Sequence, residues 1–300
     1  MNFFRRGLFF LEYLIFRALA WLVNLFPLPA LHGFAKAAGA LLYSLLPNRR
    51  RIVLENLRAA FGDQMSEAQI RKTAVDSMSH MVLVALEFVR IPKFLRRRDI
   101  TWEIRDRENL MRAWEKKRGV VILAAHLGNW ELLGFALAQS GIPLHAVGRP
   151  VKNPYVSAYI LKLRSLGGIV NLEKAGAVRS CIRVLKQNQI VGMLVDQHER
   201  QGGVWVDFFG RKACTTGLPA VLSLRHDVPV VETFFYRETA NRFIIKFTPV
   251  FGCIRTGMDQ EEDIRANTQE YVRSLEDEIR RRPSEWLWMH RRWREIPKGG

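Results

Sequence analysis

Carboxylates are scarce in this chain. Its 300 residues hold 29 Asp and Glu against 46 Lys and Arg, a net charge of +17. Such an imbalance calls for an anionic partner: nucleic acid, acidic lipid or a phosphorylated substrate. Cysteine is scarcer still. Cys181, Cys214 and Cys253 are odd in number and far apart. That excludes a disulfide framework and any Cys-x-x-Cys metal or redox spacing, and it fits a reducing compartment. Cys181 reads as a small buried apolar residue rather than a nucleophile. No Gly-x-Ser-x-Gly elbow is present, so a serine acyl-enzyme of that kind is not expected. Internal repeats, low-complexity tracts and a linker that would split the body are also missing. Hydrophobic residues make up 48% of the chain, with 18 Phe and 8 Trp, which excludes a disordered basic tail.

The long apolar run lies at the N-terminus, where residues 7–26 follow Arg5-Arg6. It is long enough to cross a bilayer core, which takes roughly 20 residues. Glu12 and Arg17 interrupt it, and a charge at the bilayer centre costs about 2.5–3.5 kcal/mol on insertion scales. Arg5, Arg6, Arg17 and Asn24 fall largely on one side of a helical wheel, so an in-plane or deeply embedded anchor fits at least as well as a span. A cleaved signal peptide fits less well, and an ordinary buried helix is the plain alternative. Lys36 and Arg49-Arg50-Arg51 follow, a basic flank that favours a cytoplasmic catalytic portion. The expected division is an anchor over residues 1–46 and one α/β domain over 47–300.

Helical patterns are predicted over 30–46 and 49–61. Ser66-Glu67-Ala68-Gln69 has the form of a helix cap and starts a helix to about Arg90. Pro92 and Arg96-Arg97-Arg98 read as a surface loop. Strand patterns then alternate with helical ones: strands over 120–125, 144–148, 168–172, 190–195, 228–236 and 243–247, with helices over 130–140, 155–166 and 177–188 among them. That alternation predicts an α/β fold whose mixed, largely parallel sheet is flanked by helices.

In such sheets the active site lies beyond the C-terminal ends of the strands. There the chain reads Val120-Val121-Ile122-Leu123-Ala124-Ala125-His126-Leu127-Gly128-Asn129-Trp130-Glu131. An apolar run ends in a histidine, a glycine turn follows, and an acid opens the next helix. A histidine oriented by an acid is a general base. Spacing alone means little: with 7 His and 29 acids, roughly 0.7 such pairs arise by chance. A second pair, His290 and Glu295, has no strand before it and no turn inside it, and reads as chance. In one continuous helix His126 and Glu131 would point about 140° apart, so a turn is required, and Gly128 permits it.

Other strand ends add candidates. Arg149 and Lys152 sit in a loop stiffened by Pro150 and Pro154, suited to a phosphate or an oxyanion. Asp196 and Gln197 end the strand over 190–195, where they either line the pocket, orient the His126 loop or serve as structural hydrogen-bonding groups. Residues 205–212 mix aromatics with cations, as either a cover for an apolar chain or a hydrophobic hairpin with a basic turn. The C-terminal Arg and Trp residues over 280–294 suit an anionic membrane interface.

Taken together, these blocks resemble the bacterial lipid A biosynthesis acyltransferases, the late lauroyl/myristoyl type, within the lysophospholipid acyltransferase superfamily. The matching pieces are Glu55-Asn56-Leu57 with Phe61, the His126–Glu131 block, Gly148-Arg149-Pro150 with Lys152-Asn153-Pro154, Val195-Asp196-Gln197, Val206-Asp207-Phe208-Phe209-Gly210, and Trp286-Leu287-Trp288-Met289-His290-Arg291-Arg292-Trp293. His-x4-Glu alone is weak; all the blocks in this order are specific. The resemblance implies acyl transfer from an acyl-carrier-protein thioester to a hydroxyl of a lipid A precursor, with no bound cofactor or metal, at the cytoplasmic face of the inner membrane. It gives His126 and Glu131 the catalytic dyad, and partners that are acyl carrier protein, the glycolipid and an anionic membrane surface rather than nucleic acid. The alternatives are another phospholipid or glycolipid acceptor, a hydrolase, and a non-catalytic basic membrane-binding protein.

Overall fold

The computed structural model of the protein describes residues 3–148, 150–173 and 176–294, with the side chains of all but residues 3 and 173. Five helices come first: α1 (Phe3–Leu25), α2 (Leu28–Leu45), α3 (Pro47–Phe61), α4 (Glu67–Phe88) and α5 (Ile91–Arg97). Ser66 caps α4 in a reciprocal box with Gln69, as its sequence predicts. The predicted surface loop at Pro92 is instead α5. Proline in a first turn has no donor to lose, so it starts this helix rather than preventing one.

The α/β body follows as β1 (Thr101–Arg105), α6 (Arg107–Trp114), β2 (Val120–Ala124), α7 (Trp130–Gln139), β3 (Leu144–Gly148), α8 (Pro154–Leu166), β4 (Val170–Glu173), α9 (Ala177–Lys186) and β5 (Ile190–Leu194). A hairpin, β6 (Gly203–Phe208) and β7 (Arg211–Thr216), precedes α10 (Leu218–His226), β8 (Val230–Arg237), β9 (Arg242–Phe247), α11 (Gln260–Arg281) and a short 3-10 turn, Pro283–Glu285. Seven strands form one sheet in the order β1-β9-β8-β2-β5-β3-β4. All its pairs are parallel except β8 with β9. The mixed, largely parallel sheet expected from the sequence is therefore present.

β2 is buried along its whole length, as a central parallel strand covered on both faces must be. Val120, Ile122 and Ala124 pack toward α6, α7 and α8, and Val121 and Leu123 toward α9, α10 and α11. A third cluster closes the C-terminal end of the sheet, where Ala125 and Leu127 meet α3, α4, the hairpin, Trp286 and Trp288. The C-terminal tryptophans thus have a different place from the membrane surface expected of them. Trp286 and Trp288 are 1% and 0% exposed, because they fill the gap over the ends of β2 and β8. Residues 205–212 form the hairpin, with Phe208 and Phe209 inside the same cluster.

Candidate active site

The chain leaves β2 at Ala125, and the C-terminal segment holds the next residues. Leu287 N donates to His126 O at 3.1 Å and Gly128 N to Glu285 O at 3.1 Å. Gly128 turns with φ +61°, and a Cβ there would strike the carbonyl oxygen of Phe235 on β8. Only glycine suits both the dihedral and the space. Asn129 then caps α7, its Oδ1 accepting from Leu132 N at 3.0 Å.

These restraints present the His126 ring, which is only 15% exposed, at the strand end. Its Nδ1 lies 2.8 Å from Asp196 Oδ1, just past the end of β5, the strand beside β2. Asp196 Oδ2 accepts from His126 N at 2.9 Å and from the Trp286 indole Nε1 at 2.8 Å. Burial alone would raise the Asp196 carboxyl, but the neighbouring His126 charge and these hydrogen bonds hold it down at about 2. An ionised Asp196 makes Nδ1 the protonated nitrogen, which leaves Nε2 as the acceptor. Gln197 Nε2 stands 3.2 Å from His126 Nε2 on the open side, and Trp130 packs edge-on against the ring at 4.8 Å between centroids.

The acid expected on the ring was Glu131, and the structure places it elsewhere. Glu131 lies in the first turn of α7, and its two oxygens accept from Arg164 of α8, at 2.6 Å from Nη2 and 3.0 Å from Nε. Among the described residues no hydrogen bond joins Glu131 to His126. The reason is direction: β5 runs parallel to β2 and ends beside His126, whereas Glu131 faces the α7–α8 side, where Arg164 meets it as a fork. Glu131 and Arg164 both line a narrow cavity of about 80 Å³. Its other walls are almost wholly apolar: Ile122, Leu133, Leu137, Leu144, Ile169 and Leu194 among them.

A buried polar hub supports the motif turn from behind. Glu87 on α4 is 0% exposed and accepts from Asn129 Nδ2 at 2.7 Å and from Arg237 Nη2 at 2.6 and 2.7 Å; the His32 ring of α2 lies 3.7 Å away. Burial alone would raise the Glu87 carboxyl, but His32, Arg237 and Asn129 hold it below its ordinary value. His80, one α4 turn-pair earlier, bonds Gly128 O at 3.0 Å. Its burial favours the neutral ring.

Among the remaining candidates, Arg149 and Glu295 lie outside the described residues, and Lys152 is exposed in the loop before α8. His290 is close to the site but serves the backbone: its Nε2 accepts from His198 N at 3.1 Å, and burial pushes the ring down to about 4, so it stays neutral. Arg292 donates to Gln197 O at 3.3 Å and to Cys214 O at 2.6 Å, pinning the loop after Asp196. Sequence reasoning missed Trp286, Arg164 and Glu87 as members of the site. Trp286 and Arg164 were within view as a tryptophan in a matching block and an arginine on a predicted helix, but neither carries a spacing signal. Among the described residues no three His, Cys, Asp or Glu side chains group as a metal site.

Comparisons with known proteins converge. Over residues 4–295 the chain matches the family described as bacterial lipid A biosynthesis acyltransferase. It is 24% identical to the lipid A biosynthesis palmitoleoyltransferase of Escherichia coli K12, over 93% of this chain and 90% of the relative. It is 23% identical to the lipid A biosynthesis lauroyltransferase of the same organism, at the same coverage of 93% and 90%. A phosphatidylinositol mannoside acyltransferase of Mycolicibacterium smegmatis is 27% identical over 41% of each chain. With nearly its whole length matched and a histidine–carboxylate pair at the end of its central strand, the chain belongs to the bacterial lipid A biosynthesis acyltransferase family.

Proposed function

We propose that this enzyme moves a fatty acyl group from an acyl-carrier-protein thioester to a hydroxyl of a lipid A precursor, with His126 as general base and Asp196 as its orienting acid. One observation carries the reading. A histidine has Nδ1 fixed on a buried, ionised carboxylate and Nε2 on its exposed side, and Trp130, which packs on the ring, also lines an apolar cavity. The acceptor hydroxyl takes the place of the Gln197 amide at Nε2 and gives up its proton there as its oxygen bonds the thioester carbon. Asp196 stabilises the imidazolium that forms. When the tetrahedral adduct collapses, the carbon–sulfur bond breaks, the proton on Nε2 passes to the departing thiolate, and the neutral ring is restored. No acyl-enzyme is needed. The apolar cavity takes the acyl tail, and the Arg164–Glu131 pair sits at its polar end. The basic surface draws in both an acidic carrier protein and a phosphorylated glycolipid.

Full-length protein in lipid vesicles, supplied with acyl-carrier-protein thioester and lipid A precursor, is expected to give an acylated glycolipid detectable by mass spectrometry. His126→Ala is expected to remove the product while vesicle binding persists. Unchanged product from His126→Ala would overturn the mechanism. The mycobacterial match supports one second reading, in which the acceptor is another glycolipid. Offering both acceptors in one reaction separates the two.

A further inference from the structure

We propose that α1 does not cross the membrane but lies flat in one leaflet, with α2 beside it, as a monotopic anchor. At 22 residues with mean hydropathy 1.7, the Phe4–Leu25 segment is long enough to cross. Its inner side decides against that. Arg6 Nε bonds the Tyr155 hydroxyl at 3.2 Å, and Asn153 Nδ2 of the α8 cap donates to Phe9 O at 2.7 Å and to Glu12 Oε2 at 2.9 Å. The Arg17 guanidinium lies over the Tyr159 ring, 4.7 Å from its centre. Farther along, Asn24 Nδ2 donates to Val89 O at 3.2 Å, Lys93 Nζ to Asn24 O at 2.6 Å, and Arg90 Nη1 to Val23 O at 3.0 Å and Phe26 O at 2.8 Å. The body is therefore fastened to α1 from Arg6 to Phe26, about 30 Å of helix.

The charges that interrupt the apolar run, Glu12 and Arg17, stay exposed as residues but reach α8 with their side-chain ends. An upright α1 would carry α8 and α5 into hydrocarbon alongside it, together with exposed Lys162 and Arg96, Arg97 and Arg98. Away from the body, α1 presents an apolar stripe to its surroundings. Leu8, Leu11, Ile15, Leu19 and Leu22 share one face and are between 44% and 55% exposed. On α2, Phe34, Leu41 and Leu45 are likewise exposed, while Leu28, Leu31, Ala35 and Gly39 pack inward. Exposed Arg5, Lys36 and Arg49, on these helices and at the start of α3, match an anionic headgroup layer. Lying level, α1 brings α8, and with it the Arg164–Glu131 pair that lines the cavity, to the leaflet surface, so that a lipid-tailed acceptor enters sideways. That consequence rests on the acyl-transfer reading; the orientation of the helix does not.

Depth measurements test it. In full-length protein carrying Cys253→Ser, single cysteines replace Leu8, Leu11, Ile15, Leu19 and Leu22, and each takes a nitroxide. In phosphatidylethanolamine–phosphatidylglycerol vesicles, oxygen and nickel collision rates then give the depth of each label. A flat α1 places all five at one depth. A steady gradient reaching about 21 Å between positions 8 and 22, at 1.5 Å per residue, overturns the proposal; so does an absence of lipid contact at all five. Acyl transfer is assayed on the same labelled proteins. A level profile without transfer supports the anchor and counts against the catalytic reading alone.

Discussion

Asp196 holds one ring nitrogen of His126, and the proposed reaction uses the other. Replacing Asp196 with Asn keeps the shape but removes the charge that fixes the tautomer and, in the proposed reaction, stabilises the imidazolium. Turnover is expected to fall by about 10²–10⁴-fold, the usual share of general-base catalysis, in a steady-state acyl-transfer assay. Trp286→Phe keeps most of the buried volume and removes the indole N–H from Asp196 Oδ2. A net hydrogen bond to a charged group is worth about 1.5–3 kcal/mol, so kcat is expected to drop roughly ten- to a hundredfold with little change in KM. A rise in KM at constant kcat would instead place Trp286 in binding. The local sequence made His126 legible, because an apolar strand, a glycine turn and a helix start are contiguous signals. Its partner was not legible as such. Asp196 lies 70 residues away and reaches the ring only because β5 pairs with β2, so a nearby glutamate at motif spacing looked the better acid.

At the level of elements, α7 and α8 enclose the cavity against the sheet, and glycines set its depth. A Cβ built on Gly134 of α7 meets Ile169 Cδ1 at 2.7 Å, and one on Gly192 of β5 meets Leu144 Cδ1 at 2.9 Å. Both contacts are with the ends of flexible side chains, so larger residues can be housed, but at the expense of cavity space. Gly134→Val is expected to shift the transferred chain toward shorter acids with the product otherwise unchanged. Mass spectrometry of product from mixed-length thioesters checks this, and an unchanged chain-length distribution would remove Gly134 from the cavity's working wall. Buried elements were read well from sequence: β2 and β5 carry uninterrupted apolar runs, and β8 carries one broken only by Glu232 and Thr233. Of the elements missed, two were hidden for opposite reasons. β1 is an edge strand whose Glu103 and Arg105 pair with each other in solvent, which hides its alternation. α11 buries only a narrow stripe of Tyr271, Val272, Leu275 and Ile279 among charges, although Asp259 and the acids of its first turn mark its start.

Across the whole molecule, one buried acid couples folding to pH. Burial pushes the Glu232 carboxyl of β8 up to about 8; the Ser274 hydroxyl pulls the other way, and the charge of Glu278 adds to the rise. The unfolded chain releases this proton near the ordinary glutamate value, while the folded protein keeps it until about pH 8. Between those points the folded state binds more protons, so stability declines as pH rises, and the decline levels off above the folded value. Glu232→Gln is expected to melt higher than the parent at pH 8, by an amount of order a few kcal/mol, with the difference vanishing below about pH 4.5. Calorimetry at pH 4.5 and pH 8 checks the sign. Equal melting temperatures at both would mean that Glu232 is ionised in the folded protein.

Composition and local pattern determined what depends on near neighbours in the chain. They gave the class of fold, the order of its elements, the amphipathic N-terminal helix and the histidine at the end of a buried strand, because hydrophobic periodicity, caps and turns act over a few residues. Tertiary structure decided what depends on residues far apart. It paired His126 with Asp196, sent Glu131 to Arg164, drew the C-terminal tryptophans over the strand ends and brought the Glu12 and Arg17 side chains of α1 against α8. Strand order and helix packing settle which distant groups share a buried space, and a buried polar group takes whichever partner the fold delivers to it.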